Sequence, residues 1–249
     1  MPPLALVTGG CRRLGAHIAA RLAAAGYDLA LHSGHGCDLE PWLPDRLDAV
    51  RHETFVADLA DRDAVAALPG RVTEAFGRPI ALLVNSASRF SAHDGMADLY
   101  AASQSHFGVN VAAPIALAAA VADGAGEAGA AVVNILDQRI AHPPRDQFAY
   151  TLSKQALAEA TRTLAIALAP RVRVNGVAPG LVLPTDDYAD GQAGRVGAMM
   201  PLGHNASADD VADAVAWLAQ ARSVTGQVVF VDGGAHLKSF ERDFVHLGR

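Results

Sequence analysis

A chain of 249 residues, 51% of them apolar and 6% aromatic, has the length for one α/β domain or two small ones. It can bury a large core without metals or disulfide staples. Its formal net charge of −6, with Lys and Arg scattered and no basic tract, excludes the electrostatic footprint of a nucleic-acid or anionic-membrane binder. The two cysteines, Cys11 and Cys37, read as thiols of a reducing, cytoplasmic compartment rather than a disulfide framework.

In chain order, the N-terminus enters an apolar strand at residues 4–8, with no signal-peptide layout. Further strands are expected at 28–32, 54–57, 81–85, 131–136, 173–177 and 228–231. Helical periodicity fills the gaps at 15–25, 62–76, 103–122, 148–168 and 208–219. Ser207 with Asp210 three residues on approximates a capping box for the last of these. The most apolar stretch, 109–122, contains Asn110 and Pro114 and is too short to span a bilayer. Unbroken strand–helix alternation, without repeats or a composition shift, predicts one domain over 1–249. Its architecture is a Rossmann-type, doubly wound parallel sheet of about seven strands with helices on both faces. Residues 181–201 break the rhythm and read as a substrate loop carrying a short helix. The sequence does not say what the tail, 236–249, packs on.

The first strand runs through Thr8-Gly9-Gly10-Cys11-Arg12-Arg13-Leu14-Gly15 directly into a helix. Glycines there permit a tight turn and close approach to a pyrophosphate, and the helix N-terminus offers N–H groups to the anion. Gly9, Arg12, Arg13, Leu14 and Gly15 are therefore cofactor-binding candidates; an ordinary βα turn is the alternative. Asp58-Leu59 after the third strand can accept from an adenine amino group, and Asp58 reads equally as a helix N-cap. Asn85-Ser86-Ala87 ends the fourth strand, where strand order should reverse and ligands bind. NAD-preferring sites carry an acid at the end of the second strand. Here that position reads His32-Ser33-Gly34-His35, and the next acid is Asp38. With Arg12 and Arg13 nearby, His32 and Ser33 point to a 2′-phosphate and so to NADPH. The two histidines lack a third ligand, so no metal is expected.

Tyr150 and Lys154, four apart on one helix face, can act at one site. The ammonium, with an oxidised nicotinamide nearby, is expected to lower the phenol from about 10 and make it an acid–base group.

Following the glycine turn and the Asn85 segment in this order, the Tyr-x-x-x-Lys motif resembles the short-chain dehydrogenase/reductase family over nearly the whole chain. The resemblance implies a proton relay completed at Asn110, which reads alternatively as a helix-bending residue. It also implies a nicotinamide-flanking segment at Pro179-Gly180 and a closing turn at Val231-Asp232-Gly233-Gly234. Two departures from the common family pattern, Arg13 for glycine and Asp137 for serine, resemble the branch of pteridine and dihydromonapterin reductases. In that branch Asp137, Tyr150 and Lys154 form the catalytic set. Ser86-Ala87-Ser88-Arg89-Phe90 echoes its pterin-stacking element.

A flat heteroaromatic substrate gains from a phenyl face, here Phe90, beside Ser88. Arg13 offers a forked donor to substrate and phosphate together. Asp137, partly buried, is expected to have a raised pKa and to protonate a ring nitrogen. The expected function is NADPH-dependent reduction of a pterin or dihydropterin C=N bond, in a homotetramer built on the family's paired long helices. A general carbonyl reductase or alcohol dehydrogenase is the alternative, and a non-catalytic NADP-binding sensor the third reading. Whether Arg139, Asp186 or Asp187 reaches the site stays open.

Overall fold

The order in which the strands meet decides where a ligand can sit. The computed structural model describes residues 1–36, 38–90 and 98–249. It pairs β1 (Leu4–Thr8), β2 (Asp28–Ser33), β3 (His52–Val56), β4 (Leu82–Asn85), β5 (Ala130–Ile135), β6 (Val172–Pro179) and β7 (Val228–Val231) in one sheet. The order is β3-β2-β1-β4-β5-β6-β7, every pair parallel. The chain crosses over between neighbours β1 and β4, so their carboxyl ends open a crevice.

Alternate residues of each strand feed two cores. Ala5, Val7, Leu29, Leu31 and Val84 pack under α1 (Arg13–Ala24) and α8 (Ala208–Gln220), against Ile18, Leu22, Val211 and Val215. Leu4, Leu6, Leu83 and Val132 face α3 (Arg62–Phe76) and α5 (Ala113–Gly124), against Leu68, Val72, Leu117 and Val121. This two-sided burial is why the strands read as continuous apolar runs. Three further helices are α2 (Pro44–Leu47), α6 (Phe148–Ala167) and α7 (Gln192–Ala198). The capping box is present: Ser207 Oγ accepts from Asp210 N at 3.1 Å, and Asp210 Oδ2 accepts from Ser207 N at 2.8 Å.

Three expectations need correction. The single helix expected at 103–122 is α4 (Leu99–Phe107), a π turn (Gly108–Ala112) and α5. Pro114 cannot donate to the Asn110 carbonyl and its ring crowds it, so the ladder widens one turn earlier. The resulting helical run, Leu99–Gly124, is 26 residues and long enough to cross a bilayer, but its inner face is core. Cys11, only 2% exposed, is disulfide-bonded rather than a thiol. The chain's other cysteine, Cys37, lies outside the described residues.

Candidate active site

The turn after β1 is held open from beneath. Thr8, 1% exposed, accepts at Oγ1 from Ser86 N (3.0 Å) and Ala87 N (3.1 Å), tying the ends of β1 and β4 together. Gly9 has φ +65, and a Cβ there would lie 3.1 Å from Ala87 N. A Cβ on Gly15 would lie 2.0 Å from the Gly9 carbonyl oxygen. Only glycines let the helix start this close to the strand end. Arg12, ahead of α1, provides no side-chain cap, and the first turn carries no acid. The helix's own first turn thus brings no anion, but Glu40 Oε1 accepts from Arg13 N at 2.9 Å, so a carboxylate from the following loop already meets part of that attraction.

His32 is 1% exposed beneath the turn. Gly9 N donates to its Nδ1 at 3.3 Å, so Nε2 carries the proton and donates to the Ala57 carbonyl at 2.8 Å. Burial, partly offset by that carbonyl, holds its pKa below 6.5 and keeps the ring neutral. His32 also borders a cleft of about 240 Å³, lined further by Gly34, His35, Asp58, Leu59 and Ala87. Asp58 Oδ1 accepts from Ala60 N at 2.9 Å, whereas α3 is capped by Asp61, not by Asp58. Arg12 turns away to an exposed pair with Asp38 at 2.7 Å. Asn85 is 2% exposed and donates to Asn134 Oδ1 at 2.8 Å, stitching β4 to β5 below the crevice.

A second cleft, about 250 Å³, adjoins the first at Ser88. It gathers Arg13, Leu14, Ser86, Phe90, Asp137, Tyr150, Lys154, Pro179 and Gly180, drawn from the ends of β1, β4, β5 and β6 and the start of α6. Arg13, at φ 49, donates to the Leu183 carbonyl at 2.9 Å and so ties the glycine turn to the loop that follows β6. Phe90 meets the Tyr150 ring edge-on at 4.9 Å.

Tyr150 Oη donates to Asp137 Oδ2 at 3.2 Å, and Lys154 Nζ donates to the Ile135 carbonyl at 2.8 Å. Together, the chain's own groups do not lower the phenol; the expected lowering also invokes an oxidised nicotinamide. Burial first, and then the Asp137 carboxylate, raise it well above its ordinary value. Burial pushes Lys154 down to about 8 despite the nearby carboxylate. Asn110, 1% exposed in the π turn, donates to the Arg89 carbonyl and to Ser153 Oγ, both at 3.0 Å. It accepts from Arg89 N at 2.7 Å and Ser88 Oγ at 3.2 Å, so it fixes the 88–89 segment that borders both clefts.

Arg139 and Asp187, left open by the sequence, line the cleft, and so do tail residues that the sequence does not mark. Arg139 is buried, with Nε 3.1 Å from Asp137 Oδ1 and its guanidinium 4.7 Å from the Tyr150 ring centroid. Burial opposes its charge, but Asp137 and Asp243 outweigh that and raise its pKa. Asp187 and Tyr188 line the cleft with Asp243, Phe244 and Val245 from the tail. Asp186 is exposed and outside that lining. Adjacency of Arg139 to Asp137 was the available signal; nothing periodic marks Asp243.

A family model described as enoyl-(acyl carrier protein) reductase matches residues 10–236. The chain belongs to the short-chain dehydrogenase/reductase family. Its similarity to the pteridine reductase-like branch is direct. Pteridine reductase 1 of Leishmania tarentolae is 32% identical over 279 residues, covering 94% of this chain and 96% of that protein. The structure of FolM alternative dihydrofolate reductase 1 from Brucella suis in complex with NADP has 36% identity and a TM-score of 0.89, covering 96% of each chain. A ketoacyl reductase of the granaticin polyketide synthase from Streptomyces violaceoruber is 35% identical, over 94% of this chain and 96% of its own. The chain is accordingly an oxidoreductase.

Proposed function

We propose that this protein is an NADPH-dependent reductase of a pterin or dihydropterin C=N bond. The observation that carries the reading is the Tyr150–Asp137 hydrogen bond of 3.2 Å beside a cleft bordered by Phe90. A reductase of ketones needs one hydroxyl donor at the carbonyl; a carboxyl group next to it suits protonation of a ring nitrogen. The FolM and pteridine reductase relatives support the same choice.

The residues fit a dinucleotide. The turn from Gly9 to Gly15 and the start of α1, where Glu40 takes the Arg13 N–H, would hold the pyrophosphate, with His32, His35, Asp58 and Leu59 toward the adenosine. Ser86, Pro179, Gly180, Tyr150 and Lys154 would flank the nicotinamide, with Ala87 in the adjoining cleft. NADPH, when bound, supplies the hydride. Tyr150 keeps its proton at neutral pH because burial and Asp137 raise it. Tyr150 delivers that proton to the substrate nitrogen, or Asp137 does so after taking up a proton from Tyr150 or from solvent. Lys154 and the guanidinium of Arg139 lie 5.7 and 4.7 Å from the ring centroid and offset the phenolate charge left behind. Phe90 offers a stacking face, and Arg13 a donor at the mouth. Asn110 acts by holding Ser88 and Arg89 in place.

The ketoacyl reductase relative favours a second reading, a general carbonyl reductase using Tyr150 and Lys154 alone. With the first reading go a homotetramer, for which Tyr100 on α4 and Leu152 and Ile166 on α6 leave apolar surface exposed, and a cytoplasmic setting. A panel of 7,8-dihydropterins and aromatic ketones with NADPH tests the function. Turnover of dihydropterins above ketones is expected; ketone turnover alone would refute it.

A further inference from the structure

The tail, left without a role by the sequence, reaches the reacting groups through one buried arginine. Arg139 and Asp243 are each 7% exposed in their side chains, and Arg139 Nη2 donates to Asp243 Oδ2 at 2.6 Å. Nη1 donates to Gln147 Oε1 at 2.7 Å, and Nε faces Asp137 Oδ1 at 3.1 Å. The guanidinium therefore joins three separate pieces of chain. Asp137 follows β5, and Gln147 precedes α6, whose first turn carries Tyr150. Gln147 is 2% exposed, has φ +52 without being glycine, and accepts at its carbonyl from Thr151 N at 2.9 Å. Such a backbone persists only where its surroundings hold it.

Asp243 is itself over-determined. Its N–H donates to Asp146 Oδ1 at 2.8 Å, and its Oδ1 accepts from Val245 N at 2.9 Å. Gln192 on α7 donates to the Val245 and Leu247 carbonyls at 2.9 and 2.7 Å, clamping the tail from its other side. Two cations, Arg139 and Lys154, and two carboxylates, Asp137 and Asp243, so share one buried region. Removing one partner of such a group strands the others, which is far costlier than removing an exposed pair.

We infer that Arg139 and Asp243 are positioning residues: a buried latch by which the C-terminal tail closes the cleft and aims the Asp137–Tyr150 pair. The inference rests on the reading that this pair delivers the proton, but the latch has its own readout. Asp243→Asn keeps size and shape while removing one anion. In the full-length enzyme it should raise hydrogen exchange at backbone amides 244–247 at least tenfold. NADPH affinity should stay within about twofold. For whichever of dihydropterin or ketone the wild type reduces, kcat should fall at least tenfold with KM changed less than threefold. Arg139→Lys, which keeps a charge but not the three-way fork, should show the same pattern and serves if Asp243→Asn does not fold. A kcat within twofold of wild type, or a loss confined to KM, overturns the positioning role. Unchanged exchange in the tail overturns the latch. A wild type inert toward dihydropterin but active on ketones defeats the pterin reading and leaves the latch test intact.

Discussion

Gly15→Ala places a methyl carbon 2.0 Å from the Gly9 carbonyl oxygen, 2.7 Å from its carbon and 3.0 Å from Gly10 Cα. All three neighbours are backbone, so no flexible side chain can yield. Restoring ordinary contact, about 3.5 Å, requires the glycine turn and the start of α1 to separate by roughly 1.5 Å. A hydrogen bond of ordinary length, about 2.9 Å, does not survive a shift of that size. The turn and the helix N-terminus are the proposed pyrophosphate seat, and a hydrogen bond to a charged group contributes about 1.5–3 kcal/mol. Loss of one such bond weakens NADPH binding by roughly tenfold or more, since about 1.4 kcal/mol is a factor of ten. Fluorescence titration of the apo-protein measures the affinity, and thermal unfolding without cofactor shows whether the variant is folded. A folded variant that binds NADPH within twofold of wild type would refute the placement of the pyrophosphate on this turn.

Three other outcomes follow from the same geometry. His32 is neutral in the folded protein because burial lowers its pKa, whereas the unfolded chain takes up a proton near 6.5. Its contribution to stability is therefore present above pH 6.5 and lost as pH falls below it, by at most about 1.4 kcal/mol per pH unit. Urea midpoints on the two sides of that pH should drop more for wild type than for His32→Asn; equal drops would count against the assignment. NADPH should bind roughly tenfold tighter than NADH, a difference of about 1.4 kcal/mol, because no acid follows β2 at His32-Ser33-Gly34-His35. Equal affinities in a two-cofactor titration would remove that argument. Phe90→Ala and Arg13→Ala should each lower kcat/KM for a dihydropterin by roughly 1–3 kcal/mol, the scale of a lost stacking face or charged donor. Steady-state kinetics showing neither effect would mean that the substrate does not lie between these side chains.

Much of this was legible because it is local or periodic. The apolar runs marked all seven strands, and α3 begins and ends where its period does, at Arg62 and Phe76. Asp137, Tyr150 and Lys154 converge as expected, since a strand end and the adjoining helix start are fixed by the fold. What was not legible depends on contacts between distant residues. Arg12 looked like a phosphate donor, but Asp38 engages it across 26 residues. His32 reads as a cofactor contact from its place at the end of β2, but its two ring-nitrogen partners, Gly9 and Ala57, lie 23 and 25 residues away and no local pattern gives them. Lys154 together with an oxidised nicotinamide is expected to lower Tyr150, whereas within the chain itself burial and Asp137 act the other way. Arg139 and Asp243 are 104 residues apart, and no pattern in the tail announces the pair.

The claim that this is a pterin reductase rests on Asp137, so the most direct measurement is kcat/KM of Asp137→Ser for 7,8-dihydropterin and for an aromatic ketone, beside Tyr150→Phe. Serine retains a hydroxyl that can orient a carbonyl but cannot supply a carboxyl proton to a ring nitrogen. Asp137→Ser should lower dihydropterin turnover by about 10²-fold, the lower range for losing a general acid, and leave ketone reduction within a few-fold. Tyr150→Phe should abolish ketone reduction and leave partial dihydropterin turnover. Unchanged dihydropterin turnover in Asp137→Ser, or an equal loss for both substrates, would contradict the account.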